Sequence, residues 1–438
     1  MKRTLVLVAL TIIATTAISG AGILSRGPDR SSDSAAPRLP VGTAPPTEEA
    51  ISFFADRVRQ NPQDAVGLTL LGQLHSLRAR ETGDVTSFER AEIALERALD
   101  LLPHSAPAGA ALAEVYYAEH RFGDALRLAR RVHRASPGTT QALATIGDAY
   151  LALGAYRKAN EAYGALRDLG PKPPALARGA QLAWLHGRTE RAIELMERAA
   201  LASVEAGETG ERASWYEVRL GDLEFGRGRL DAAEFHYRRA MSIFDGSYQA
   251  LAGLGRVHAA QGRFTEAIGL YERAVSVVPQ PDLVAALGDL YAITGRPELA
   301  DERYELVEAI GSLAASNRQV YDRQLAMFYA DHDGNLDAAL DLAMAEIEVR
   351  KDVFGYDALA WTLHKNDRNR EAARAIEEAL RLGTRDASLF FHAGMIYDAL
   401  GREARAMRFL ERSLALNPGF SPLQAGTARS TLERLMAG

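Results

Sequence analysis

The 438-residue chain has no cysteine. That one absence excludes disulfides, thiolate-bound zinc, iron–sulfur clusters, c-type haem attachment, a thiol nucleophile and a lipid-modified N-terminal cysteine. A basic surplus is missing too. The 51 Lys+Arg stand against 57 Asp+Glu, for a formal charge of −6, and such a field repels nucleic acid and anionic membrane surfaces. No nucleic-acid partner is expected. Familiar signatures of catalysis are also absent: there is no Gly-x-x-x-x-Gly-Lys loop, no Gly-x-Ser-x-Gly elbow and no His-Glu-x-x-His helix. The chain therefore reads as a non-enzyme that needs no cofactor.

What is present is a folded body behind an export segment. Apolar residues make up 47% and charged residues 25%, enough to bury a large core. Lys2 and Arg3 precede an uncharged stretch from Thr4 to Ser25 that is rich in Leu, Val, Ile and Ala. Residues 1–25 thus read either as a signal peptide, with Ser19-Gly20-Ala21 as the cleavage site, or as a transmembrane signal anchor. Both readings place the body outside the cytoplasm, with any membrane contact confined to this segment. Residues 26–46 form a linker, with five prolines between Gly27 and Pro46. Thr47 is expected to cap the helix that follows, ahead of Glu48 and Glu49 in its first turn.

The rest of the chain is periodic. Pro103, Pro137 and Pro171 recur at intervals of 34 residues, each closing an alanine-rich helical pattern. Residue sizes recur as well: Gly147, Tyr150, Gly154, Tyr156, Ala159 and Tyr163 are echoed by Gly255, Gly262, Phe264, Ala267, Tyr271 and Ala274. Small residues on two neighbouring helices let the pair approach closely, an aromatic ring fills the space beside them, and a glycine makes the turn.

This pattern resembles the tetratricopeptide repeat, a pair of antiparallel helices with a small residue at position eight and Ala at position twenty. Ten units are placed by Gly72, Ala113, Gly147, Ala180, Gly221, Gly255, Gly288, Ala326, Ala360 and Gly394. Position twenty is alanine in all of them: Ala91, Ala125, Ala159, Ala192, Ala233, Ala267, Ala300, Ala339, Ala372 and Ala406. The first unit carries extra residues at Glu81 to Ser87, and a long interval between Ala180 and Gly221 makes residues 200–214, with Gly207 and Gly210, a candidate hinge. The expected fold is all-α: a right-handed α-solenoid over residues 47–438, closed by a helix from Thr47 to Gln60 in front and another from Pro422 to Met436 behind.

The resemblance implies a concave groove, lined by the first helix of each pair, that binds a peptide or a segment of a partner protein. The groove-facing positions hold Glu114, Asp148, Asp222, Asp289, Asp357 and Asp398, interleaved with Tyr117, Trp184, Trp215, Phe225, Phe354, Trp361 and Phe391. Carboxylates alternating with aromatic faces suit a cationic, extended segment with exposed apolar side chains. The Lys and Asn set with which some members of this family hold a C-terminal carboxylate is missing. Asp331-His332-Asp333-Gly334-Asn335 superficially resembles a calcium loop, but it lacks the distal Glu and sits where an inter-helix turn must lie, so it reads as turn chemistry with no metal. The leading expectation is an exported interaction scaffold. A self-associating cell-surface protein is the alternative, ahead of a calcium-binding or enzymatic one, and the oligomeric state is left open.

Overall fold

The computed structural model describes residues 46–170, 172–316 and 322–437. The expected export segment, the expected linker up to residue 45 and Pro171 lie outside the described residues. Within them the chain is all helix and turn. It consists of ten antiparallel pairs between two single end helices: α1 (Thr47–Gln60), then α2 (Ala65–Thr82) with α3 (Thr86–Leu101), α4 (Ala106–Ala118) with α5 (Phe122–Ala135), α6 (Thr140–Ala152) with α7 (Tyr156–Asp168), and α8 (Pro173–Leu185) with α9 (Thr189–Glu205). The middle pairs are α10 (Gly210–Gly226) with α11 (Leu230–Ile243), α12 (Tyr248–Ala260) with α13 (Phe264–Val277), and α14 (Pro281–Ile293) with α15 (Pro297–Ser316). The last are α16 (Asp322–Asp331) with α17 (Leu336–Val349), α18 (Val353–Lys365) with α19 (Asn369–Leu380), and α20 (Ala387–Ala399) with α21 (Glu403–Leu416), followed by α22 (Gln424–Ala437).

Local chemistry sets several helix starts. Asp64, Ser105, Ser247, Asp352 and Asp386 each accept the backbone N–H three residues on, at α2, α4, α12, α18 and α20, which satisfies a donor that the helix itself leaves unpaired. The expectation for Thr47 is corrected. It is the first helical residue, behind Pro46, and its hydroxyl donates to Glu81 at 3.1 Å.

Packing explains the alanine column. Nine of its ten members are 0% exposed and Ala300 is 2% exposed, so these are the points where the helices of a pair touch with no room for a longer side chain. Position eight obeys the same logic. A Cβ on Gly147 would lie 2.1 Å from the ring of Tyr163, and one on Gly221 would lie 2.5 Å from Tyr237. The aromatic residue of the second helix thus sits directly on the glycine of the first.

The long interval is mostly helix. It lengthens α9 and α10 to 17 residues each. Glu211 at the start of α10 then pairs with Arg80 of α2 at 3.3 Å, both nearly buried, which ties the insertion to the opening of the array.

Small rotations from pair to pair wind the array until it meets itself. The backbone N–H of Lys351 donates to Ala152 O at 2.8 Å, the Thr384 hydroxyl to Leu185 O at 2.7 Å, and the Asn417 amide to Phe225 O at 2.8 Å. In each case a loop between pairs satisfies a C-terminal carbonyl of a first helix about six pairs earlier. The inter-helix turns must come very close for this. A Cβ on Gly154 would sit 2.4 Å from Lys351 O, and one on Gly187 would sit 2.3 Å from Gly383 O. Both glycines also have φ near +70°, so two independent reasons keep them without a side chain. One buried apolar cluster runs across this seam, joining Leu151, Tyr156, Leu182 and Leu185 to Val353, Leu389 and Phe391.

Candidate functional site

The first helices face inward, and their inner side chains are joined in rungs. Asp148 accepts the Tyr163 hydroxyl at 2.6 Å and the Arg178 Nη2 at 2.6 Å; Arg178 and Asp148 are each 3% exposed. Asp222 accepts Tyr237 at 2.7 Å and is shared by Arg219 and Arg256. Asp289 accepts Tyr304 at 2.9 Å and pairs with His332 Nε2 at 2.7 Å. Each rung links a carboxylate to the tyrosine fifteen residues on and to a cation from the next pair.

The other acidic residues are also engaged. Glu114 accepts the Gln141 amide at 2.7 Å, and burial pushes its carboxyl up to about 7. Asp357 lies 2.9 Å from His392 Nδ1, and Asp398 pairs with Arg434. A preference for cationic ligands required these carboxylates to be free. Each has an internal partner, so the structure removes the basis of that expectation.

The aromatic members divide in two. Tyr117, Trp361 and Phe391 are buried. Tyr117 packs edge-on against Phe122, Trp361 Nε1 donates to Asp331 at 2.8 Å while its ring stacks on His392, and Phe391 lies against Phe420. Trp184, Trp215, Phe225 and Phe354, together with Asp222, line one opening of about 540 Å³ on the inner surface. Its walls come from α8, α10, α12 and α14 on one side and from α18, α20 and the loop before α22 on the other. The Trp184 and Phe354 rings stack across it at 5.5 Å. Five of the thirteen groove residues therefore meet in one place, and the other eight are spread along the rungs and the core.

The sequence did not single out the remaining polar lining: Arg219, Arg256, Asp282, Arg385 and Asp386. The Arg256 guanidinium lies over Phe225 at 5.1 Å. Burial, with Arg256 nearby, holds Arg219 down to about 10, still cationic at neutral pH. Asp282 is open to the lumen, but the surrounding walls push its carboxyl up. The recurring Asp-to-Tyr spacing of fifteen was readable beforehand at 148/163, 222/237 and 289/304. The cations completing the rungs were not, because they enter from different positions of the following helix.

The calcium-like segment splays apart. Asp331 holds Trp361 and Gln424, His332 turns to Asp289, and Asp333 pairs with Lys365. Among the described residues no three His, Asp or Glu side chains converge as a metal would require. Nor is any described helix long and apolar enough to cross a membrane.

Comparison with known families agrees with this geometry. Residues 224–293 match one family model described as tetratricopeptide repeat, and residues 145–208 and 358–419 match another. The chain carries tetratricopeptide repeats. Human protein O-mannosyl-transferase TMTC1 is 27% identical over 224 residues, which take in 50% of this chain and 24% of that protein; the match thus spans about a quarter of the relative's length. A crystal structure of a tetratricopeptide repeat protein from Parabacteroides merdae is 17% identical, covering 60% of this chain and 98% of that one, with a TM-score of 0.34.

Proposed function

We propose that this protein is a non-enzymatic interaction scaffold that acts outside the cytoplasm and holds a short segment of a partner polypeptide against its inner surface. The observation that carries the reading is the uncovered cavity of about 540 Å³ between α8 and α14, where Trp184, Trp215 and Phe354 stay partly exposed above the buried Phe225 while the carboxylates of the inner face are taken up by internal pairs. Large aromatic surfaces that keep contact with solvent in a concave setting are the usual anchors of binding. The extracytoplasmic part rests on Lys2, Arg3 and the apolar stretch behind them.

The absence of cysteine makes a direct test available. A Gln249→Cys variant puts a single thiol on the cavity wall, and Arg238→Cys puts one on the exposed outer face of α11. With a thiol-directed photo-cross-linker, the inner thiol is expected to capture a discrete polypeptide that the outer one does not, and Trp215→Ala in the Gln249→Cys background to abolish that capture. Identical products from both faces would end the reading. Protease access to the body in intact cells tests the location.

A further inference from the structure

The cavity has a chemistry of its own, because guanidiniums stand beside carboxylates on its walls. Its carboxylates are already committed. Asp222 is shared between two guanidiniums and a tyrosine hydroxyl. Asp386 caps the N-terminus of α20 through the Leu389 N–H, and Asp282 lies in the first turn of α14, bonded to backbone N–H groups there. The guanidiniums are less committed. Arg256 uses only Nη2, toward Asp222 and Tyr237. Among the described residues the buried Nε of Arg219 has no hydrogen-bond partner, and Arg385, exposed at the rim, forms no ion pair with them.

The N-terminal ends of α14 and α20, whose backbone donors are met by Asp282 and Asp386, border the same space. Around the guanidiniums lie flat apolar faces: Trp215, with Arg219 5.9 Å from its centroid, Phe225 under Arg256, and the Trp184–Phe354 stack. A ligand that satisfies both parts carries an anionic group on a flat, apolar body.

We infer that the cavity selects a compact organic anion of this kind, a carboxylate or sulfonate borne on an aromatic body, with Arg219, Arg256 and Arg385 receiving the charge. This rests on reading the inner surface as the binding surface. The volume lies within the ordinary range for compact ligands, roughly 300–1,000 Å³. The required chemistry occurs in a free aromatic acid and equally in a polypeptide that presents Asp or Glu beside an aromatic side chain.

The test uses the full chain and two dyes that differ in charge, 1-anilinonaphthalene-8-sulfonate and uncharged N-phenyl-1-naphthylamine, followed by fluorescence with excitation transfer from tryptophan. The sulfonate is expected to bind at one site, about tenfold more tightly than the neutral dye, the difference that one charge-assisted contact supplies. Arg256→Gln and Arg385→Gln should each weaken the sulfonate and leave the neutral dye unchanged. Arg385 is exposed and unpaired, so its variant keeps the test valid if the other fails to fold. Equal binding of the two dyes, or indifference to both arginine variants, would overturn the inference while leaving a cavity that binds apolar groups. Binding of neither dye would overturn it as well, and the cross-linking result would then judge the scaffold reading alone. Displacement of the bound sulfonate by 3-phenylpropionate assigns a free acid, and displacement by acetyl-Ala-Phe-Asp-Ala-amide but not by its Asn counterpart assigns a polypeptide; failure of both to displace it counts against the inference.

Discussion

In the front half of the solenoid the inner carboxylates are clamped by guanidinium, Asp148 by Arg178 and Asp222 by Arg256. In the back half imidazole takes that place at two of them, Asp289 held by His332 and Asp357 by His392, before Asp398 returns to a guanidinium, Arg434. The architecture is shared but the cation differs. Arginine stays charged at any pH the protein meets, whereas histidine changes charge close to neutrality. Asp148 and Asp222 are therefore held by permanent pairs and Asp289 and Asp357 by conditional ones, within a single run of similar helix pairs.

The sharpest way to break the contrast is at its most buried pair. Asp148→Ala leaves the Arg178 charge in the interior with no partner, and a loss of about 3–5 kcal/mol is expected, read as a lower midpoint in urea unfolding. The loss should be similar at pH 6 and pH 8.5.

Glu114→Gln acts in the opposite direction. Burial raises this carboxyl to about 7, so folding favours its protonated form. The resulting penalty accumulates as pH rises from the unfolded value toward 7 and is constant above it. The amide variant keeps an acceptor for Gln141 and should gain ~1–3 kcal/mol at pH 8, and clearly less at pH 5.

At the back, His392 faces Asp357 of α18, Asp331 of α16 and Asp386 at the start of its own helix. His332 faces Asp289 and the neighbouring Asp331. Burial opposes the charged form of both rings, yet the surrounding carboxylates outweigh it and raise both above 6.5. A raised histidine contributes stability that is complete below the unfolded value and is lost as pH rises through the folded one. Asp331 and Asp386, pushed up by burial, also favour their protonated forms, whereas His364 of α18, held down chiefly by burial, acts in the opposite sense. Hydrogen exchange, corrected for intrinsic rates, should show α16–α21 losing more protection from pH 6 to pH 8.5 than α7–α8, which are removed from Glu114 and its partner on α6. His392→Gln should cost about 1–2 kcal/mol at pH 6 and less at pH 8.5. Equal losses at both pH values would erase the distinction between the two ends.

The smallest effect concerns what lies between them. Thr384→Val removes one hydrogen bond of the seam and is expected to cost about 1 kcal/mol. It should leave the helix content unchanged and increase the radius of gyration measured by small-angle scattering.

The helix pairs were legible from sequence because their causes are local. Ala159 and Gly147 are small because Tyr163 and the facing helix crowd them, and all of these lie within a few turns of one another. The inner stripe was legible as a list of positions but not as chemistry. Whether Asp222 is free depends on Arg256, one repeat away, and whether Phe354 is exposed depends on Trp184, far back in the chain. The seam was not legible at all. It arises from a small rotation at each of about six junctions, and no residue near Ala152 indicates that Lys351 will arrive there. Residues 200–214 were readable as extra length, but their attachment through Glu211 depends on that same winding.

A stacked array ordinarily tolerates the loss or gain of a unit, since each unit leans only on its neighbours. Here the carbonyls of Ala152, Leu185 and Phe225 each meet a donor roughly 195 residues onward. Removing one unit between Phe225 and Lys351 would offer all three carbonyls to the wrong loop at once. The count of units in that stretch is thus a circumference, and a viable variant of this protein changes its girth only by rebuilding every contact around the ring.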